Sequence, residues 1–294
     1  MSAVSSQFPI IERVAALVKE LDPDIFVVLG GHHASLSPDQ AIECPNLDAI
    51  CVSEGDSAVV QLASQLEEGK QPAAIPNLWI RHPETREIEK TPTAPFNEDL
   101  GTIPHVDRTL WESWVANPHE EASVLVGRGC PYKCTYCSNH AMEGLAEGQY
   151  VRYRSSEDMI SEIDSLSQQY PRMKHIYLEI ETVGADVLKG IDLFEKLADY
   201  NNRKKEKFSF RINLALHSNF VRNEEKFRKF LELCQKANVT ALNVGLESGS
   251  QRVRRQILKR PRYTNEELIG FCRTAREFGV ATSLLVLRCA WGNF

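Results

Sequence analysis

The chain has 294 residues, 34 Lys and Arg against 40 Asp and Glu for a formal charge of −6, and 43% hydrophobic residues. That length allows one large α/β domain or two medium ones with buried cores, and the acidic balance offers no broad basic stripe for nucleic acid. The longest apolar runs, 25–29 and 283–287, are far short of the roughly 20 residues of a membrane helix, and 1–14 lacks the order of a secretory signal, so a cytoplasmic protein is expected.

Ile10, Ile11, Val14, Ala15, Leu17, Val18 and Leu21 recur at helical spacing, and Asp22-Pro23-Asp24 stops that helix before an apolar strand at 25–29. The strand ends in Gly30-Gly31. A second strand at 49–53 enters Glu54-Gly55-Asp56 and then a helix carrying Val59, Val60, Leu62, Ala63 and Leu66. Helix, strand, glycine loop, strand, glycine loop, helix is a piece of a doubly wound sheet. Such a domain normally opens on a strand, so the order predicts that its beginning is absent and that residues 1–5 end a preceding strand.

This first piece is taken as residues 1–75. Residues 76–122 hold a hairpin around His82-Pro83-Glu84-Thr85, then a linker punctuated by Pro92, Pro95, Pro104 and Pro118. Trp111 and Trp114 are expected to pack the linker onto a domain. From 123 to 294, strands at 124–126, 175–180, 208–213, 239–246 and 280–287 alternate with helices whose apolar faces include Phe227, Phe230, Leu231 and Cys234, then Leu268, Phe271 and Cys272. Five βα units in series predict part of a barrel, with functional groups at the C-terminal ends of the strands. The basic runs 203–207 and 252–260 read as solvated helix ends or loops.

Of eight cysteines, Cys44, Cys51, Cys234, Cys272 and Cys289 are dispersed, and buried free cysteine usually acts as a small hydrophobe. The other three follow the first barrel strand in Gly127-Arg128-Gly129-Cys130-Pro131-Tyr132-Lys133-Cys134-Thr135-Tyr136-Cys137. Three thiolates on one tight loop reach three irons of a cubane cluster and leave the fourth open. The flanking glycines are expected to bring backbone N–H groups close to the cluster sulfides. A zinc site would need a fourth ligand, and only His140 lies near in sequence.

The Cys-x3-Cys-x2-Cys spacing, with an aromatic before the last cysteine and a strand leading in, resembles the signature of the radical S-adenosylmethionine (SAM) superfamily. The resemblance implies a four-iron, four-sulfur (4Fe-4S) cluster on Cys130, Cys134 and Cys137. Its open iron would bind the amino and carboxylate groups of SAM, and its electron would cleave SAM to a 5′-deoxyadenosyl radical that takes hydrogen from a substrate. It also implies an electron donor such as flavodoxin or ferredoxin and a small-molecule substrate. By family position Tyr136 lies near the adenine. Glu181, rather than its neighbour Glu179, is taken as the SAM-amino contact at the second barrel strand, where the pattern is Leu-Glu-Ile-Glu-Thr instead of the common Gly-Gly-Glu. Arg211 and Asn213 alternate onto one face of the third strand and address SAM's carboxylate and ribose.

Gly245-Leu246-Glu247-Ser248-Gly249-Ser250 resembles the Gly-x-Glu-Ser-Gly-Ser segment of radical SAM enzymes with a cobalamin-binding domain. Glu247 and Ser248 would serve SAM hydroxyls, with Ser248 or Ser250 also free to cap a helix. Arg252, Arg254 and Arg255 are placed on the surface of that helix in preference to a contact of one of them with the SAM carboxylate. In the segment 153–157, Ser155 or Ser156 caps the next helix.

Gly30-Gly31-His32-His33 and Ser53-Glu54-Gly55-Asp56 are similar to the second half of a cobalamin-binding domain upstream of such barrels. Gly30, Gly31, Glu54 and Gly55 would let the corrin or its nucleotide tail approach the backbone, making cobalamin a third cofactor. His32 and His33 read as polar caps rather than cobalt ligands. The family's axial histidine comes from an Asp-x-His-x-x-Gly motif, which does not occur here, and the Gly-x-Pro-Gly-Glu-like turn usual after the fifth strand is also absent, so an incomplete C-terminus is expected.

The fold class expected is α/β, a partial (β/α) barrel of the radical SAM type preceded by part of a Rossmann-like cobalamin-binding domain. The expected function is radical SAM chemistry, as cobalamin-dependent methyl transfer or ring formation. Two other readings stand beside it: a radical SAM enzyme without functional cobalamin, and a zinc-stabilised interaction domain. Transfer RNA methylthiolation fits poorly with an acidic chain. Replacing any one of Cys130, Cys134 and Cys137 with Ala is predicted to abolish cluster assembly, because three ligands leave no redundancy. Cys44→Ala and Cys289→Ala should leave iron content unchanged; iron and sulfide analysis after anaerobic reconstitution checks both.

Overall fold

Strands and helices alternate as their apolar periods dictate, and a computed structural model describes them over residues 1–287. The chain divides into two units: Met1–Glu98 with Ser138–Gln149, and Asp99–Cys137 with the residues from Tyr150 on. Cys289 and the segment after the fifth barrel strand, where the family's turn would stand, lie outside the described residues.

The first unit begins with α1 (Phe8–Leu21), which buries Phe8 and Ala15 with Ile11 and Val18 beside them. Ile10, Val14, Leu17 and Leu21 are exposed, so only part of the expected apolar stripe faces the core. β1 (Val28–Leu29) leads to α2 (His32–Leu36) and α3 (Pro38–Glu43), and β2 (Ala49–Cys51) leads to α4 (Asp56–Glu67). β3 (Leu78–Arg81) and β4 (Ile88–Lys90) form the expected hairpin, and α5 (Asn139–Glu143) completes the unit. The sheet order is β1-β2-β3-β4, parallel at its first pair and antiparallel thereafter. Side chains on β2 alternate as strand geometry requires: Ile50 packs with Leu29 and Ala15, whereas Ala49 and Cys51 pack with Ala58 and Leu62 of α4. Residues 1–3 lie parallel to β1, with Gly30 N–H donating to the Met1 carbonyl at 3.0 Å and Ala3 N–H to the Gly30 carbonyl at 3.2 Å.

In the second unit, β5 (Glu121–Leu125) enters β6 (Gly127–Arg128), which pairs antiparallel with β7 (Arg152–Tyr153). Then come α6 (Ser156–Gln169), β8 (His175–Glu179), α7 (Val187–Asn202), β9 (Ser209–Leu214), α8 (Ser218–Arg222), α9 (Glu224–Ala237), β10 (Val239–Glu247), α10 (Asn265–Glu277) and β11 (Ala281–Val286). The five long strands form one parallel sheet in the order β11-β10-β9-β8-β5. This is the partial βα barrel expected. The first strand starts three residues earlier than its apolar run, because Glu121 and Ser123 occupy positions that do not enter the core.

Ile176, Leu178, Phe210, Ile212, Leu214, Leu242 and Val244 pack under the helices with Phe194, Phe230 and Phe271. Tyr177, Arg211, Asn213 and Asn243 occupy the alternate positions. There the Tyr177 hydroxyl donates to Asn213 Oδ1 at 2.6 Å, Asn243 Nδ2 donates to the same oxygen at 3.3 Å, and Asn213 Nδ2 donates to the Ile180 carbonyl at 3.1 Å. One face is therefore apolar core and the other a polar wall.

An ionic knot ties the linker to α6. Arg154 reaches Glu162 at 2.5 Å, Asp158 at 2.6 Å and the Leu125 carbonyl at 3.0 Å, while Arg108 from the linker reaches the other oxygen of Glu162 at 2.7 Å. Contrary to expectation, Trp111 and Trp114 do not anchor the linker; they are 59% and 84% exposed. Polar contacts do that work, with Glu112 accepting from the Tyr170 hydroxyl at 2.5 Å. Ser155 caps α6 by accepting from Asp158 N–H, as predicted.

Glu162 and Arg154 side chains are only 4% and 5% exposed, so removing the carboxylate leaves a buried cation with Asp158 as its one remaining acidic contact in the knot. Glu162→Ala is predicted to lower the unfolding free energy by about 3–5 kcal/mol. Glu157→Ala, which removes an exposed partner of Lys196, should leave the urea midpoint unchanged.

Candidate functional site

Val124 and Val126 are fully or almost fully buried and fix the end of β5 in the core. The chain then meets β7 so closely that only glycine fits. A Cβ on Gly127 would collide with the Arg152 carbonyl, and one on Gly129, whose φ is +89°, with the Tyr150 carbonyl. The neighbouring backbone therefore requires both glycines by itself.

Residues 130–137 form no regular element. Their shape comes from hydrogen bonds: Cys137 N–H donates to the Cys134 carbonyl at 3.1 Å, and Thr135 donates from its N–H to the Leu258 carbonyl at 3.1 Å and from its hydroxyl to the Ile257 carbonyl at 2.8 Å. Cys134 is buried, and Cys130 and Cys137 are half-buried. Burial pushes the Cys130 thiol up to about 11; the Tyr132 N–H bonded to it opposes the shift, and Glu181, Cys134 and Cys137 add to it. Cys134 and Cys137 thus stand close enough for their charge to act on Cys130. Among the described residues no three His, Cys, Asp or Glu side chains converge on a single metal ion. A cubane places each thiolate on a different iron and does not ask for that convergence.

Glu247 ends β10 at a bulge against β11, with φ of 61°, a left-handed backbone uncommon outside glycine. Its carboxylate hydrogen-bonds the Tyr136 hydroxyl, and burial, with that bond adding to it, holds the Tyr136 phenol well above its usual range. Arg260 lies beside both. It donates to the Gly245 carbonyl at 2.6 Å, stands 3.8 Å from Cys134 Sγ and 4.0 Å from Glu247 Oε1. A Cβ at Gly245 would lie 2.6 Å from both Arg260 Nη2 and Glu247 Oε1, so glycine admits the pair.

The structure brings Cys130, Cys134, Cys137, Tyr136, Glu181 and Glu247 to the C-terminal end of the parallel sheet. Glu181 acts on Cys130 and on Tyr150, whose hydroxyl is raised by burial first and Glu181 next. Glu179 is itself raised by burial and by Glu181. Ser248 belongs to the turn, its hydroxyl accepting from Ser250 N–H at 3.2 Å and its carbonyl from Arg254 at 2.6 Å. Asn213 is held in the polar wall. Arg211 is not brought to the cysteine loop. It pairs in register with Tyr177, two residues and roughly 7 Å deeper along the strand than Asn213.

Two residues escaped the sequence reading. Arg260 sits in a basic run taken as solvated, yet its side chain is 10% exposed. Arg254, expected on a helix surface, is 1% exposed and stacks over Tyr263 at 4.7 Å. The segment that carries it is a single π-turn, Val253–Ile257, and not a surface helix.

In the first unit, Gly30 and Gly31 follow β1, and Glu54 and Gly55 follow β2. Gly31 has φ of +88°, and a Cβ there would meet Ser2 Oγ at 2.6 Å. Glu54 accepts from Asn77 Nδ2 at its carbonyl, at 2.5 Å, and from Asn97 N–H at its carboxylate, at 3.2 Å. His33 is no loop cap: it lies in α2, buried, its ring 4.0 Å from Phe8 and Nδ1 3.1 Å from Ser5 Oγ. Its Nε2 and the Ser53 hydroxyl are buried without a protein partner, which leaves unmet hydrogen-bonding capacity at the C-terminal ends of β1 and β2.

Residues 124–288 match the Radical SAM superfamily, and residues 1–63 match the B12 binding domain. An uncharacterized methyltransferase of Pyrococcus horikoshii is 27% identical over 91% of this chain and 54% of its own length. The anaerobic magnesium-protoporphyrin IX monomethyl ester cyclase of Rubrivivax gelatinosus is 27% identical over 82% of this chain and 42% of its own. The chain thus spans about half the length of these curated relatives. The radical S-adenosylmethionine methyltransferase TsrM from Kitasatospora setae shares the fold, with a TM-score of 0.70 at 18% identity over 95% of this chain and 52% of that one.

Proposed function

Because this chain belongs to the radical SAM superfamily, we propose that Cys130, Cys134 and Cys137 hold a 4Fe-4S cluster with one open iron, at which SAM is bound and cleaved. The observation that carries this reading is the gathering of three thiols on one loop with Tyr136, Glu181 and Glu247 at one end of a parallel sheet. When bound, the cluster supplies the single electron that breaks a carbon–sulfur bond of SAM and yields a 5′-deoxyadenosyl radical.

The chain's own residues bind and orient. Tyr136 would face the adenine, Glu181 would accept from the SAM amino group, and Glu247 with Ser248 would accept from ribose hydroxyls. Asn213, its amide oxygen already occupied by Tyr177 and Asn243, offers an N–H to the same end of the site. Arg211, set deeper, is left out of the SAM contacts. The buried apolar side of the sheet keeps Asn213 and Glu247 rigid, since they stand on β9 and β10, whose alternate residues are locked in the core.

The first unit would hold cobalamin through the loops at Gly30, Gly31, Glu54 and Gly55; support comes from the B12 binding domain match and the unmet donors and acceptors at Ser53 and His33. A chain with both parts would carry out methyl transfer or ring formation on a small molecule, fed by a one-electron donor such as flavodoxin or ferredoxin. The relatives named as a methyltransferase and a cyclase support both outcomes. No described helix is long and apolar enough to cross a membrane.

The test is anaerobic reconstitution with iron and sulfide, then incubation with SAM and dithionite. Formation of 5′-deoxyadenosine supports the reading, and a fully loaded cluster that leaves SAM intact contradicts it. Glu247→Ala is predicted to keep the cluster spectrum and to weaken SAM binding. A carboxylate bonded to ligand hydroxyls contributes about 1.5–3 kcal/mol, so affinity should fall roughly ten- to a hundredfold in equilibrium dialysis.

A further inference from the structure

The segment that closes the π-turn belongs to no motif, yet it touches both the cysteine loop and the end of β10. Ile257 and Leu258 accept both hydrogen bonds from Thr135, in the middle of the cysteine loop. Lys259 takes a left-handed φ of 52°, and Arg260 N–H returns to the Arg254 carbonyl at 2.9 Å. The turn thereby aims the Arg260 side chain inward. Its two terminal nitrogens are engaged, one by the Gly245 carbonyl and the other between Cys134 Sγ and Glu247 Oε1. Its Nε is buried with no hydrogen-bond partner, a donor left over at a place where such groups are normally satisfied.

We propose that Arg260 is a positioning residue of the cluster site, holding the Cys134 sulfur and stabilising the reduced cluster against its added negative charge. The inference rests on the cluster reading given above. A fixed cation beside a ligand sulfur favours the state that carries more negative charge, so it raises the reduction potential. Arginine suits the task because its planar fork spans a sulfur, a carboxylate and a carbonyl at once and it does not lose its proton. Low exposure limits screening by solvent and salt.

The experiment reconstitutes the full chain and its Arg260→Met, Arg260→Gln and Arg260→Lys variants, measures iron and sulfide, and titrates each cluster potentiometrically while following its electron paramagnetic resonance signal. At a fixed potential near the midpoint, the ratio of reduced to oxidised cluster in Arg260→Met should fall at least tenfold, a shift of about 59 mV for one electron. Arg260→Lys, which keeps the charge and loses the fork, should recover part of that shift. Should Arg260→Met fail to load iron, Arg260→Gln removes the charge while keeping a donor and reads the same shift. A loaded neutral variant with an unchanged midpoint overturns the proposal, as does a Lys variant as low as Met. A purely structural role would lower iron content and leave the potential of the remaining clusters where it was. Absence of iron from the unmodified chain would instead overturn the cluster reading itself.

Discussion

A loop of eight residues carrying three thiols has no helix or strand to shape it, so its geometry depends on the backbone hydrogen bonds at its ends and middle. At its start, Gly127 presses against β7 and Gly129 against the Tyr150 carbonyl just before it, where no side chain fits. In its middle, Thr135 is bonded twice, to the carbonyls of Ile257 and Leu258 where the π-turn ends. For the cluster proposed here, whose ligands would have to hold their spacing through a redox reaction, such fixed attachments serve better than a free loop. Everything else in the site is referred to these attachments, since Arg260 and Glu247 reach Cys134 and Tyr136 only while the loop stays in place.

The parallel sheet divides the labour. One face is filled by Leu178, Phe210, Ile212, Leu242 and Val244 under the helices, and the burial fixes the strands. The other face carries Tyr177, Asn213 and Asn243, which satisfy one another and so keep a polar wall ordered without a ligand. Where β10 ends, the bulge and the left-handed Glu247 turn its carboxylate toward Tyr136. Unfavourable backbone geometry of this kind persists where surrounding contacts over-determine it, and here the Leu287 N–H holds the Glu247 carbonyl at 3.1 Å.

Much of this was legible in the sequence, for identifiable reasons. The strands of the second unit are betrayed by runs such as Phe210 to Leu214, and the cysteine spacing is short enough to need no tertiary information. Long-range relations were not legible. Nothing in a stretch with five Arg and Lys tells that Arg254 and Arg260 are buried, because the burial depends on carbonyls and aromatic rings brought from β10 and from Tyr263. Trp111 and Trp114 misled in the opposite direction: apolar size suggested anchors, while Arg108 and Glu112, ordinary surface residues by type, make the contacts. Gly127 and Gly129 were recognised as necessary, but the neighbour that makes them so is Arg152 and Tyr150 backbone, more than twenty residues on. His33 likewise looked like a loop residue because α2 is only five residues long and carries no strong helical period.

The central claim, that this loop carries a 4Fe-4S cluster with an iron open to SAM, is tested most directly by spectroscopy on the unmodified chain. The anaerobically reconstituted, dithionite-reduced protein is measured by electron paramagnetic resonance before and after addition of SAM, with iron and zinc determined on the same sample. About four irons per chain are expected, with a reduced-cluster signal whose g-values move when SAM is added. One zinc per chain with no cluster signal, or a cluster signal indifferent to saturating SAM, would contradict it.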